Sequence, residues 1–238
     1  MTQKAIATKV MHKGIFITGT DTGVGKTFVS VGLLKALKET GLNVCPMKPV
    51  ETGCKIKKGE LVPEDTLKLI KAAQVSEPMD LINPYRFRQP LAPAIASELE
   101  GAVISRKKII SAYNKLSNKY DITIIEGAGG IMVPIRKNYL FLDLIKDLAL
   151  PVIIVSRPGL GTINHTLLTI EAARNRGIDI IGVIINCLAD IRKDVSVKTN
   201  PQMIEKLTGI PVLGTVSYME KFNSKLFKHL AVKIMSTL

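Results

Sequence analysis

The stretch Gly14-Ile15-Phe16-Ile17-Thr18-Gly19-Thr20-Asp21-Thr22-Gly23-Val24-Gly25-Lys26-Thr27 decides how the chain is read. Its first five residues are apolar and β-branched enough for a strand. From Lys26 to Thr40 the apolar residues Val29, Leu33, Leu34 and Leu37 recur at helical spacing, and Gly41 marks the stop. A strand, a glycine-rich loop, Gly-Lys-Thr and a helix form the context of a phosphate-binding loop. The glycines let backbone N–H groups converge on phosphate oxygens, and the helix N-terminus adds partial positive charge. In such a loop Lys26 reaches terminal phosphates and the Thr27 hydroxyl ligates Mg²⁺. The loop departs from the general pattern in two ways: five residues separate Gly19 from Gly25, and Thr20 stands where glycine is expected. The bland alternative is a chance glycine turn before a helix.

Outward from this loop, short β-branched runs alternate with amphipathic stretches. Asn43–Met47, Asp121–Ile125, Val152–Ser156, Ile180–Asn186 and Val212–Val216 read as strands. Pro63–Gln74, with Leu67, Ile70 and Ala73 on one face, reads as a helix. So do Ser105–Tyr120, Thr162–Arg176, Pro201–Leu207 and Phe222–Met235. This alternation predicts an α/β fold of three layers, a mostly parallel sheet with helices on both faces, of the P-loop NTPase type. Such sheets bind ligands at the C-terminal ends of their strands. Residues 14–238 are expected to form a single domain, preceded by a polar, basic, mobile extension at 1–13.

Two further strand ends carry chemistry. Asp121–Ile125 runs into Glu126-Gly127-Ala128-Gly129-Gly130. A carboxylate there suits a Mg²⁺ ligand or a water-positioning group, and the glycines leave room for phosphate. The second strand ends in Lys48-Pro49-Val50-Glu51-Thr52-Gly53. Lys48 is placed to add a second cation, although a solvated loop lysine is the plainer reading. Asp65 opens the next helix, where it either complements the helix dipole or faces the metal.

Composition bounds the alternatives. The 238 residues are 46% hydrophobic and 22% charged, which excludes wholesale disorder. Aromatics are only 5%, so an Ile/Leu/Val core is expected, as parallel sheets favour. The net charge of +13 invites nucleic acid, acidic membrane or anionic small molecules as partners. Its distribution argues for a surface property: residues 1–60 and 192–238 hold most of the excess. No nucleic acid or membrane partner is therefore expected. Cys45, Cys54 and Cys187 lack metal or disulfide spacing, so a reducing, cytoplasmic setting is expected. No apolar run approaches the roughly 20 residues of a membrane span.

The separated motifs together resemble the dethiobiotin synthetase family. Gly19–Thr27 is similar to that family's GTDTxVGKT, extra loop residue included. Lys48-Pro49-Val50 with Thr52-Gly53 resembles its KPV-x-[ST]-G. Asn83-Pro84-Tyr85-Arg86-Phe87 with Pro90 and Pro93, Glu126–Gly130, and Gly161-Thr162-Ile163-Asn164-His165 resemble further family segments. The resemblance runs from about Gly14 to Tyr218. It implies ATP- and Mg²⁺-dependent closure of a ureido ring from 7,8-diaminononanoate and CO₂ or bicarbonate. By the same resemblance Gly23, Val24, Gly25, Lys26, Thr27 and Phe28 hold ATP phosphates. Thr27, Asp65 and Glu126 hold Mg²⁺. Lys48 acts with Lys26 as catalytic lysine, and Thr52 contacts the substrate. Glu126, Gly127, Ala128 and Gly129 line the nucleotide site, with Asn186, Cys187, Ser217 and Tyr218 on its base side. Gly161 and Asn164 meet the substrate carboxylate from the other subunit of a homodimer. Ser217, where the family often has Pro, and the residues after Asn186 depart from the pattern. His165 reads as structural.

The competing class is a partition or septum-positioning ATPase acting through DNA or membrane. Those proteins usually carry an extra lysine early in the loop, absent from Thr20–Gly25. Their membrane forms end in a basic amphipathic helix. This chain offers Phe222, Leu226, Phe227, Leu230 and Ile234 among lysines, but a helix packed on the sheet with a solvated basic face is the favoured reading. A cobyrinate-type amidotransferase would need a further glutaminase domain, and the chain is too short for one.

Overall fold

The computed structural model describes residues 13–188, 195–218 and 223–238. Residues 1–12 of the expected extension lie outside it, as does Phe222. Six strands form the central sheet: β1 (Gly14–Gly19), β2 (Val44–Met47), β3 (Ile122–Gly130), β4 (Val152–Ser156), β5 (Ile180–Asn186) and β6 (Val212–Val216). Their order is β6-β5-β4-β1-β3-β2, and every pairing is parallel.

Side chains alternate across this sheet, because successive strand residues point to opposite faces. Ile15, Ile17, Ile124, Ile153, Val155 and Ile184 face one layer. It holds α1 (Lys26–Glu39), α2 (Glu64–Ala73) and, at the chain end, a helix spanning Ser224–Thr237. Phe16, Met47, Ile125, Ile154 and Ile185 face the other. There the sheet is covered by α3 (Arg106–Lys119), α4 (Phe141–Leu148), α5 (Thr162–Asn175) and α6 (Ser196–Thr208). We label the final helix, Ser224–Thr237, α7. Both faces are dry, which is why these strands read as continuous apolar runs.

Several element boundaries differ from the sequence reading. β3 does not end at Ile125; it continues through Glu126 to Gly130, with Ile17 opposite Glu126 and Gly19 opposite Gly130. The acidic residue thus sits within the sheet, one residue past the expected strand end. α2 buries Thr66, Leu69, Ala72 and Ala73 and leaves Leu67 exposed. Thr66 is drawn inward by two hydrogen bonds to Glu51, which turns the helix away from the Leu67–Ile70 face. α6 starts at Ser196, five residues before Pro201. Buried Asn200 donates to the Pro158 carbonyl at 2.8 Å and anchors that first turn. The basic loop near Lys55–Lys58 is a hairpin, Lys55–Lys57 with Glu60–Val62, turning through Lys58 and Gly59.

The final helix settles one competing idea. Phe227, Leu230 and Ile234 are fully or almost fully buried, and Leu226 is half-buried. Phe227 lies so close to α1 that a Cβ on Gly32 would meet its ring at 2.2 Å. The apolar stripe is core and not an exposed membrane face. Among the described residues no helix is long and apolar enough to cross a membrane. Phe227→Ala is expected to cost about 3–5 kcal/mol, since a buried aromatic leaves a cavity the sheet cannot close. Urea unfolding of the variant checks this; a loss under about 1 kcal/mol would mean α7 is not core.

Candidate active site

The phosphate loop leaves β1 between its two neighbours, where the sheet order reverses and a crevice opens. Thr20 N–H donates to the Val155 carbonyl at 3.0 Å and ties the loop to β4. Gly25 has φ 87°, a left-handed conformation, and a Cβ there would meet Asn186 Nδ2 at 2.0 Å. Only glycine fits both constraints. Asn186, at the end of β5, donates through Nδ2 to the Val24 carbonyl at 2.9 Å. Its side chain is 1% exposed. In this structure Asn186 therefore braces the loop backbone.

Five sequence-flagged side chains meet in the crevice. Glu126 is completely buried. Its Oε1 accepts from Thr27 Oγ1 at 2.7 Å and from Lys48 Nζ at 2.7 Å. Lys48 Nζ also donates to Asp65 Oδ2 at 3.0 Å. Lys26 Nζ reaches the Asp21 carbonyl at 3.2 Å. Together with Thr22, Gly23, Gly25, Glu51, Thr52, Gly127, Ala128 and Gly129 these residues line a cleft of about 330 Å³. The geometry thus joins residues more than 100 positions apart in the chain.

The electrostatics differ between the two lysines. Burial pulls Lys26 down to about 8, against the attraction of Glu126, with Lys48 adding repulsion. Burial also pulls on Lys48, but Glu126, Asp65 and Glu51 outweigh it and hold Lys48 above its ordinary value. Burial would raise Asp65, yet Lys48 and Lys68 hold its carboxyl below the usual range. Lys48 is therefore a fixed cation, whereas Lys26 is poised to change charge. A phosphate ligand favours charged Lys26, so ATP binding above pH 8 is expected to take up a proton. Below pH 8 Lys26 is already charged and the uptake vanishes. Calorimetry at pH 7 and pH 9 in two buffers of different ionisation enthalpy checks this. Equal proton uptake at both values would contradict it.

A hard divalent cation fits the donors present. Thr27, Asp65 and Glu126 offer oxygen ligands, and Mg²⁺ usually completes its shell with water and phosphate oxygens. Glu126 Oε2 is buried with no hydrogen-bond partner among the described residues. A buried carboxylate oxygen left unpaired is costly, and an unplaced cation is one way to satisfy it.

Other flagged residues stand apart from this cleft. Phe28 turns its ring outward against Phe227, with centroids 6.0 Å apart, so only its backbone faces the loop. Cys187 N–H donates to the Val216 carbonyl at 2.8 Å, while Ser217 and Tyr218 are exposed beyond β6. Gly161 and Asn164 are exposed at the start of α5. His165, one turn on, has Nδ1 3.4 Å from Arg157, and Arg157 pairs with Asp21 of the loop at 2.8 Å. A neighbouring cleft of about 530 Å³ runs from Thr20–Thr22 across Ile131–Pro134 to His165 and Leu168.

Two residues at the site carry roles that the sequence reading had not assigned. Asn83 is fully buried and donates through Nδ2 to the Lys48 carbonyl at 2.6 Å, while Lys48 N–H donates to the Ile82 carbonyl. The Asn-Pro-Tyr segment thus clamps the backbone of Lys48. Glu51 is buried beside the cleft and bonds the first turn of α2. A charged residue between Val50 and Thr52 was the available sign.

Comparisons with known proteins give the family and the fold. A family model described as an AAA domain matches residues 13–225. Among solved structures, the septum site-determining protein MinD with Mg-ADP from Pyrococcus horikoshii superposes with a TM-score of 0.62. It is 17% identical, over 93% of this chain and 95% of that one. pNOB8 ParA bound to nonspecific DNA gives 0.61 at 14% identity, over 95% and 98%. These likenesses establish the P-loop NTPase fold alone. Sequence relatives go further. The ATP-dependent dethiobiotin synthetase of Thermodesulfovibrio yellowstonii is 44% identical over 94% of this chain and 96% of its own. That of Methanocaldococcus jannaschii is 47% identical over 87% and 95%. With loop, paired carboxylates and lysines in one crevice, the chain belongs to the ATP-dependent dethiobiotin synthetase family.

Proposed function

We propose that this protein makes dethiobiotin, closing the ureido ring of 7,8-diaminononanoate with CO₂ and ATP and releasing ADP and phosphate. The observation that carries the reading is Lys48 bridging Glu126 and Asp65 beside Lys26. It supports a site built to gather negative charge, which is what the reaction generates. One amine of the substrate attacks CO₂, forms a C–N bond, loses a proton and becomes a carbamate. A carbamate oxygen attacks the γ-phosphorus of ATP, and ADP leaves. The second amine attacks the carbonyl carbon of this mixed anhydride and loses a proton, the C–O bond to phosphate breaks, phosphate leaves, and the ring closes.

Phosphoryl transfer of this kind depends mainly on positioning and charge stabilisation. No protein nucleophile is required. Lys26 binds the terminal phosphates, and Lys48 stabilises carbamate and transferring phosphoryl charge. Thr52 holds the substrate near its reacting end. Thr27, Asp65 and Glu126 would hold Mg²⁺, which when bound neutralises charge on the phosphate oxygens. Gly127–Gly129 admit phosphate close to the backbone. Asn186 and Cys187, at the end of β5, and Ser217 and Tyr218, just past β6, would serve the base side. Gly161 and Asn164 stand outside the cleft, which fits a role toward the substrate of the other subunit in a homodimer. One domain over 14–238, working in the cytoplasm on small molecules, suffices for this chemistry.

The test is phosphate release from ATP with and without 7,8-diaminononanoate and bicarbonate. Release that depends on both, with dethiobiotin as product, is expected. Hydrolysis at the same rate without the diamine would overturn the reading.

A further inference from the structure

Glu51 is the third carboxylate near Lys48, and it makes no hydrogen bond to that lysine in the structure. It is only 5% exposed. Its backbone is fixed because Val50–Glu51 pairs with Tyr85–Arg86, and Phe87 N–H donates to the Glu51 carbonyl at 2.9 Å. The side chain spends both oxygens on one target. Oε1 accepts from Asp65 N–H at 3.0 Å. Oε2 accepts from Thr66 N–H at 2.9 Å and from Thr66 Oγ1 at 2.6 Å.

These are donors that the first turn of a helix cannot satisfy for itself. The residue preceding α2 is Pro63, which makes no side-chain cap. The helix is instead capped from a neighbouring strand by a buried carboxylate, in charge-assisted bonds aligned with the helix dipole. Such bonds fix both the depth of the first turn and its rotation. Asp65 belongs to that turn, so its side chain is aimed by Glu51 toward Lys48 and Glu126.

We propose that Glu51 is a positioning residue of the active site, holding Asp65 in working register through the N-terminus of α2. The proposal rests on the reading of Asp65 as a magnesium residue. Without the cap Asp65 would sit on a frayed turn, and divalent binding would weaken. Groups that orient a metal ligand in this indirect way typically change affinity or activity by about 10–100-fold when removed.

The experiment uses the full chain with Glu51→Gln and Glu51→Ala. Melting temperature is followed against Mg²⁺ at fixed ADP, and kcat and KM are measured separately. The Mg²⁺ concentration for half of the ADP-dependent stabilisation is expected to rise about 10–100-fold. kcat falls with it, and saturating Mg²⁺ restores most of the stabilisation. Gln keeps the shape and one acceptor, so its effect is the smaller. A purely structural cap would lower the melting temperature and leave the Mg²⁺ midpoint within twofold of native; that result overturns the proposal. If Glu51→Ala does not fold, Glu51→Gln and Thr66→Val carry the same comparison. The ADP readout needs no diamine. A native protein inactive toward diamine would sink the proposed reaction, whereas an unmoved Mg²⁺ midpoint would sink the role of Glu51.

Discussion

Lys48→Ala is expected to reduce synthetase turnover by about 10³-fold or more while ATP still binds through the phosphate loop. Removing a single neutral donor from a preorganised anion site commonly costs 10²–10³-fold, and a fixed buried cation contributes more. Lys48 is such a cation: it is 5% exposed, and its carboxylate partners keep it charged throughout the working pH range. Its neighbours also depend on it. Without the ammonium, buried Glu126 and half-buried Asp65 lose the cation that bridges them. Breaking a buried ion pair by deleting one partner costs about 3–5 kcal/mol. Kinetics must therefore be run well below the melting temperature of the variant. Lys48→Met, which keeps volume and removes charge, separates packing from chemistry and should be as inactive as Lys48→Ala. ATP binding measured by calorimetry should survive, because Lys26 and the loop amides lie at the junction of β1 and α1 and not on the Lys48 segment. Turnover at the native rate in either variant would remove Lys48 from the mechanism.

The parts of this site that the sequence made legible are those governed by local rules. The phosphate loop announces itself because a left-handed turn before a helix demands Gly23 and Gly25, and phosphate demands Lys26 and Thr27. The core strands announce themselves because a sheet covered on both faces needs uninterrupted Ile and Val. What stayed hidden depends on contacts between distant segments. From its local residues Lys48 reads as an ordinary loop lysine and only the family resemblance marks it as catalytic; Glu126 and Asp65 grip it from 78 and 17 residues away. The extension of β3 through residues 126–130 stayed hidden, since nothing local tells that Gly19 will pair with Gly130. Leu67 looked buried because helical periodicity cannot register the pull of Glu51 on Thr66. The terminal helix carried the pattern of a membrane-surface helix and of a sheet cover alike. The burial of Phe227, Leu230 and Ile234, with Phe227 against Gly32, separates them.

Glu126→Gln should be the second most damaging change and should alter the pH dependence in a defined direction. Glu126 accepts from both Thr27 and Lys48 through one oxygen and has the other unpaired. The glutamine keeps the shape and deletes the charge. Two consequences follow from the same loss. A divalent cation held at Glu126 as proposed would lose its fully buried carboxylate ligand, so ADP-dependent stabilisation by Mg²⁺ should require far higher metal concentration. Lys48 and Lys26 both lose an attraction that had opposed their burial. For each lysine the desolvation that favours the neutral form then weighs more, and its proton is lost at lower pH than in the native protein. Activity that needs both charges is complete at low pH and disappears as pH rises through those values, so the alkaline limb of kcat/KM must move toward neutral. The rate at pH 7 should fall about 10²–10³-fold, the scale for removing preorganised charge from such a site. Profiles from pH 6 to 10 for native and variant, at saturating Mg²⁺, decide the matter. An alkaline limb that stays in place, together with a native Mg²⁺ requirement, would mean that Glu126 serves the fold and not the charge balance of the cleft.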